Sequence, residues 1–282
     1  MHERKPDWLN KKIKFGNLNN IQESLRGKNI HTICHQARCP NISECFSRKT
    51  ATFLILGDIC TRRCAFCNVK KGIPKPVDNS ELENVITAVK DLQLKFVVIT
   101  SVTRDDMEDG GASYFCNLIN RIRKFDSSIK IETLVPDFKG DLDALSMIFY
   151  ARPDIFSHNL ETVPSLYHIR KGASFEISMS ILKFAKEAGL LTKTGIMLGL
   201  GETIDEVINL LNDLRKINCD FLSIGQYLAP SKSNYPVKEY IKPEVFEQLK
   251  DQAISMGFKH VESGPYVRSS YLAENYLQMA GV

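Results

Sequence analysis

Residues 58–69, DICTRRCAFCNV, bring Cys60, Cys64 and Cys67 into eight consecutive positions with the spacing C-x3-C-x2-C. Three thiolates can hold three corners of a cubane [4Fe–4S] cluster. The fourth iron then has no protein ligand from this motif, and an open iron can bind and activate a small molecule. Structural zinc is the alternative chemistry. Zinc takes four ligands, typically as two pairs, and this spacing is not a pair pattern. Upstream, CHQARCPNISEC supplies Cys34, Cys39 and Cys45 with the spacing C-x4-C-x5-C. Two separate triads argue for two clusters. A ferredoxin-like carrier would account for clusters but not for the long chain that follows them.

That chain must position the thiolates. After Lys49 it alternates strand-like and helix-like segments. TATFLILG, KFVVITS, IKIETLVP, DIFSHN, LLTKTGIMLGL and DFLSIGQYL are apolar, strand-like runs. Between them, SELENVITAVKDLQL places Leu82, Val85, Ile86, Val89 and Leu92 on one helical face, and SYFCNLINRIRKF does so with Phe115, Leu118, Ile119, Ile122 and Phe125. Ser80 with Glu83, and Thr203 with Glu206, have capping-box spacing. Gly189 and Gly257 mark helix stops. Six strand–helix repeats imply a parallel sheet, because parallel strands need crossovers. Periodicity does not separate an open sheet from a barrel. Either way the first triad follows the first strand, at the C-terminal strand end where α/β folds place their chemistry. The division expected is 1–49 as an N-terminal extension with the second triad, 50–257 as the repeat, and 258–282 as a C-terminal extension.

Composition narrows the class. The chain has 282 residues, 43% apolar and 25% charged, ordinary for a soluble globular protein. A net charge of +4 is too weak to indicate nucleic acid, though it suits an acidic partner. No apolar run approaches a membrane span, and the basic N-terminus lacks the apolar core of a secretory signal. A cytoplasmic protein without membrane or nucleic-acid partners is expected. Six of the eight cysteines fall between Cys34 and Cys67, which favours metal ligation over a disulfide scaffold. Cys116 and Cys219 stand apart and read as core thiols.

C-x3-C-x2-C after the first strand of a βα repeat resembles the radical S-adenosylmethionine (SAM) superfamily, which implies a partial (β/α)6 barrel of the TIM-like type. There the open iron chelates SAM, and reductive cleavage gives methionine and a 5′-deoxyadenosyl radical. With the second triad, and with KPDWL, ARCPN, TRDDMEDGGA, ETLVPDF, HNLETVP, GIMLGLGET, IGQYL and GPYVRSSY in order, the chain resembles the lipoyl synthases over nearly its whole length. His35, Gln36 and Phe46 depart from that pattern without touching a presumed ligand. The resemblance implies two [4Fe–4S] clusters and two SAM molecules per product. An octanoyl chain on a carrier-protein lysine would lose hydrogens at carbons 6 and 8 and gain two sulfurs from the auxiliary cluster. Octanoylated carriers (2-oxoacid dehydrogenase E2 domains and the glycine cleavage H protein) and an electron donor such as ferredoxin or flavodoxin are the implied partners. Other radical SAM sulfur-inserting enzymes, of the biotin synthase or methylthiotransferase kind, lack this second triad and the RSSY motif.

The resemblance also implies residue roles. In RSSY, Ser270 would be the fourth ligand of the auxiliary cluster, with Ser269 as runner-up, and Arg268 would steady cluster or substrate. Asn159 and Glu161, in HNLE, would bind the nucleoside of SAM. Thr100, Ser101, Arg104 and Asp105 would help seat SAM, with a structural Arg104–Asp105 pair as the alternative, and Gly110 and Gly111 would permit close backbone approach. Glu202 is balanced between function and turn chemistry, and Gln226 and Tyr227 are candidates to line the substrate tunnel. His158 reads as a satisfied buried histidine, and Lys11, Lys12 and Lys14 as a solvated face open to an acidic carrier.

Overall fold

The computed structural model describes residues 5–9, 30–36, 39–78 and 80–281. These fall into two compact units, one from residues 30–63 and 69–156, the other from residues 5–9, 64–68 and 157–281. The strands are β1 (His31–Thr32), β2 (Thr50–Ile55), β3 (Ile59–Cys60), β4 (Lys70–Lys71), β5 (Phe96–Ser101), β6 (Lys130–Leu134), β7 (Ile155–Ser157), β8 (Thr192–Leu198), β9 (Phe221–Gln226) and β10 (His260–Gly264). All six expected strand runs are present, as β2, β5, β6, β7, β8 and β9.

In the first unit, β2 pairs parallel with β5 and β5 with β6, while β1 adds antiparallel to β2. All six residues of β2 are buried, as a parallel strand covered on both faces requires. Helix Ala112–Phe125 buries Phe115, Leu118, Ile119 and Ile122 completely, but Phe125 lies at the helix end and is 45% exposed. The expected box at Ser80 does not form. Ser80 turns back to Asp78, through its amide and its hydroxyl, and Glu83 bonds Arg121 instead. Glu81, its neighbour, points inward and accepts from the amides of Leu56 (2.8 Å) and Gly57 (3.1 Å). It thereby fixes the turn that leads from β2 toward Cys60.

In the second unit, β8, β9 and β10 are consecutive parallel neighbours. The Thr203–Glu206 capping box is present at helix Ile204–Lys216. Strand β10 lies in the segment expected as a mere extension; with only Val261 as a large apolar residue, HVESG does not read as a buried strand. No helix among the described residues is long and apolar enough to cross a membrane. The basic run Lys11, Lys12 and Lys14 and the His35 side chain lie outside the description.

Candidate active site

None of the eight cysteines forms a disulfide, so both triads keep the thiols that clusters need. Cys60 closes β3, which pairs parallel with β4 so that Cys60 faces Lys71, and its carbonyl accepts from the Gly72 amide at 3.1 Å. The Arg62 amide donates to Cys60 Sγ at 3.4 Å. Arg62 itself is 8% exposed and is gripped by two carboxylates, Asp105 (Nε to Oδ2, 2.9 Å) and Asp137. Its partner in sequence, Arg63, is exposed. One arginine of CTRRC therefore anchors the loop and the other meets solvent, a division the motif does not reveal.

Cys64 and Cys67 belong to the other unit, where the Cys67 amide donates to the Cys64 carbonyl at 3.3 Å. The Asn234 amide donates to the carbonyls of Ala65 (3.3 Å) and Cys67 (3.1 Å), and Ala65 and Phe66 pack against Ile169, Leu200 and Tyr227. Tyr227 is buried and donates to the Tyr235 carbonyl at 2.7 Å; burial, then the nearby Cys67 and Tyr235, push its phenol up to about 12. It sits beside Cys67 as a neutral phenol.

In the second triad, the Cys39 amide donates to the Cys34 carbonyl at 2.9 Å, which holds these two cysteines close through their backbone. The Cys34 thiol is buried, and burial first, then the adjacent Cys39, push it up to about 12. Such a thiol gives up its proton to a metal rather than to water. Among the described residues no three His, Cys, Asp or Glu are gathered as around a single metal ion. A cubane presents a separate iron to each thiolate and so asks for a wider spacing.

The polar candidates fall into two groups, one joined to itself around Asn159 and one bonded to backbone. Asn159 Nδ2 donates to Glu161 Oε1 at 3.1 Å, and Ser269 Oγ donates to Asn159 Oδ1 at 2.8 Å. Gly195 in β8 makes room for this group, since a Cβ there would lie 2.8 Å from Asn159 Oδ1. Glu161 has φ +67°, a strained value for a non-glycine residue. Its backbone is held on both sides, by Gly195 O (2.9 Å) and Met197 N (2.8 Å). Burial pushes its carboxyl up, against the pull of Arg170 and Asn159. Behind it, Tyr167 donates to Ser178 Oγ (2.7 Å), and His158 Nε2 stands 3.0 Å from the same oxygen, so His158 is a satisfied buried histidine. Arg170 Nε and Thr162 Oγ1 nearby, and Ser101 Oγ at the end of β5, are buried without a hydrogen-bond partner among the described residues. An unmet polar atom at a strand end, as at Ser101, fits a polar ligand such as SAM.

Other candidates are committed to the fold. Arg104 pairs with Asp106 rather than Asp105 and donates to the Leu56 carbonyl at 3.2 Å. Thr100 Oγ1 donates to Leu134 O at 2.8 Å. A Cβ on Gly111 would come within 2.2 Å of Leu56 Cδ1, so its close approach is real. Glu202 caps its own turn through the amides of Gly199 and Leu200. Gln226 Nε2 donates to the Leu198, Tyr227 and Glu239 carbonyls, and its Oε1 accepts from the Ile241 amide, so its side chain clamps the surrounding backbone. Arg268 donates to the Val267 carbonyl at 2.7 Å. Cys219 is a core thiol, while Cys116 is half-buried. A cavity of about 530 Å³ lies elsewhere, between the ends of helices Phe175–Glu187 and Ile204–Lys216, where Lys186 and Lys259 are bound to Asp220.

The radical SAM superfamily profile matches residues 54–214. Solved structures agree on the fold. Streptococcus suis SuiB bound to S-adenosylmethionine is 14% identical with a TM-score of 0.59, over 81% of this chain and 54% of that one. Methylornithine synthase is 16% identical with a TM-score of 0.56, over 82% and 72%. The mixed α/β, mostly parallel fold and the C-x3-C-x2-C loop define a radical SAM enzyme. Lipoyl synthase from Caldicellulosiruptor saccharolyticus is 55% identical over 97% of this chain and 98% of its own. That from Geotalea uraniireducens is 53% identical over 97% of each. The chain belongs to the lipoyl synthase family, enzymes that insert sulfur.

Proposed function

We propose that this chain converts an octanoyl group, held in amide linkage on a carrier-protein lysine, into a lipoyl group by inserting sulfur at carbons 6 and 8. The observation that carries the reading is 55% identity to a lipoyl synthase across nearly the full length of both chains. The bound clusters and SAM supply the hard chemistry, a radical able to take hydrogen from unactivated carbon and the sulfur that replaces it.

The chain's own residues hold and orient those groups. Cys60, Cys64 and Cys67 ligate the SAM-binding cluster, and Cys34, Cys39 and Cys45 the auxiliary one. Ser270 is assigned as the fourth auxiliary ligand. Its hydroxyl has no partner among the described residues, whereas that of Ser269 is spent on Asn159. A hard alkoxide on iron suits a cluster that must open. Asn159 and Glu161 bind the nucleoside of SAM, with Ser269 orienting Asn159. Thr100, Arg104, Gln226 and Tyr227 act through the backbone they hold. E2 domains and the glycine cleavage H protein are the carriers, and ferredoxin or flavodoxin the electron donor, in a cytoplasmic setting. Anaerobic single turnover with an octanoyl-lysyl peptide, SAM and reductant tests the assignment. A lipoyl peptide by mass is expected; 5′-deoxyadenosine without any thiolated peptide would overturn it.

A further inference from the structure

Beyond the cysteine loop the chain forms a short strap, residues 70–76, KKGIPKP. Its start is tied to Cys60: Lys71 is in register with Cys60 in the β3–β4 pair, and the Gly72 amide donates to the Cys60 carbonyl. Lys70 is neutralised by Asp58 at 2.7 Å. Lys71 and Lys75 are exposed and have no anionic partner among the described residues, and the same holds for Arg63. Between the two lysines, Ile73 is 92% exposed, an unusual position for a branched apolar side chain. Pro74 and Pro76 restrict the backbone around it, so little conformational entropy remains to be lost when the strap is covered.

An exposed apolar side chain flanked in sequence by two lysines without an anionic partner, on a segment one hydrogen bond from a proposed cluster ligand, has the form of a small protein-docking surface. We propose that the strap receives the acidic face of a one-electron carrier protein, with Ile73 as the apolar contact and Lys71 and Lys75 as the charged rim. The inference rests on the reading of Cys60 as a ligand of the SAM-binding cluster. Each SAM cleavage requires one electron. The carrier's reduced centre gives it and is oxidised by one electron; the sulfonium carbon–sulfur bond of SAM breaks, leaving methionine with the sulfur lone pair and a 5′-deoxyadenosyl radical with the unpaired electron. A donor seated on residues 70–76 delivers that electron beside Cys60. Charge complementarity of this kind acts mainly on encounter rate and is screened by salt.

The test uses anaerobically reconstituted enzyme and flavodoxin as the probe, with binding measured directly at low and high ionic strength. Lys71→Glu/Lys75→Glu is expected to bind flavodoxin about tenfold more weakly at low salt and to lose most of its salt dependence. Flavodoxin-driven 5′-deoxyadenosine formation falls in parallel, while the dithionite-driven rate stays within about twofold of wild type, because a small reductant needs no docking surface. Ile73→Ser weakens binding with its salt dependence retained, and Lys71→Arg/Lys75→Arg binds as wild type. Unchanged flavodoxin binding by the charge-reversed variant overturns the proposal. So does a parallel loss with dithionite, or a loss of binding to the octanoylated carrier domain in place of flavodoxin. Wild-type enzyme inactive with both reductants overturns the proposed function instead, and the binding measurement still decides the strap.

Discussion

Ser269 Oγ donates to Asn159 Oδ1 across 2.8 Å, joining the C-terminal segment to the polar group that follows β7. The adjacent hydroxyl, Ser270, has no partner among the described residues. Two neighbouring serines therefore have separable roles. Ser269→Ala is expected to raise the KM for SAM severalfold while product still forms, since one neutral hydrogen bond is worth about 1 kcal/mol. Ser270→Ala leaves SAM binding near wild type and lowers lipoyl product. Measuring 5′-deoxyadenosine and thiolated peptide from one reaction checks both, and the reverse pattern would exchange the two assignments.

Arg62 is held between Asp105 and Asp137, the latter almost fully buried. Removing the guanidinium strands two carboxylates in a poorly solvated place. Arg62→Leu should cost roughly 3–5 kcal/mol of stability, the range for breaking a buried ion pair from one side. Denaturant unfolding of the variant measures this, and an unchanged midpoint would show that the pair does not brace the loop.

The two cysteine triads and the six strand runs stand out in the sequence because their signals are dense: three thiols in eight residues, and strands such as TATFLI that are apolar throughout. What stayed hidden depends on partners distant in sequence. Nothing in TRDDMEDGGA tells that Arg104 chooses Asp106 while Asp105 serves Arg62, 43 positions away. Nothing in SELE tells that Glu81, not Ser80, holds the turn before the cysteine loop. Gln226 ends a strand where ligand contacts are common, yet its amide clamps the chain at Glu239 and Ile241. Strand β10 escaped because its side chains are polar and it is fixed by backbone pairing to β9.

Asp220 is buried and accepts from Lys186 (2.7 Å), Lys259 (3.0 Å) and the Thr192 amide (2.9 Å). Burial alone would push its carboxyl up, but the two lysines and the amide outweigh it and hold the group below the usual carboxylate range. A depressed folded value means stability present above the unfolded value of about 3.9 and lost as pH falls through the folded one. Asp220→Asn should therefore cost roughly 1–3 kcal/mol near neutral pH, a modest figure because both lysines can regain water. The gap to wild type should close below about pH 4. A gap independent of pH would assign the cost to packing instead.

Gly225 in β9 lets the C-terminal segment lie against the strand; a Cβ there would stand 2.2 Å from the Val267 carbonyl oxygen. Gly225→Ala should push residues 264–270 away from the strand without removing any proposed ligand. Lipoyl product should fall more than 5′-deoxyadenosine, and limited proteolysis should cut the C-terminal segment sooner. Wild-type product yield would mean that the segment tolerates displacement.

The two cysteine triads carry separable chemistry in this reading, and their separation is the strictest test of it. The reconstituted protein should hold about eight irons, from two cubanes. Cys64→Ala removes one of three ligands of the SAM-binding cluster and should abolish 5′-deoxyadenosine formation. Cys39→Ala removes a ligand from the triad whose backbone holds Cys39 close to Cys34, and should leave about four irons per chain. That variant should still cleave SAM, because Cys60, Cys64 and Cys67 are intact, but should make no lipoyl product, because its sulfur source is gone. Normal lipoyl product from Cys39→Ala would mean that the sulfur comes from elsewhere. Loss of SAM cleavage in Cys39→Ala, with the remaining cluster spectroscopically intact, would mean that the auxiliary triad acts on the radical step as well as on sulfur supply.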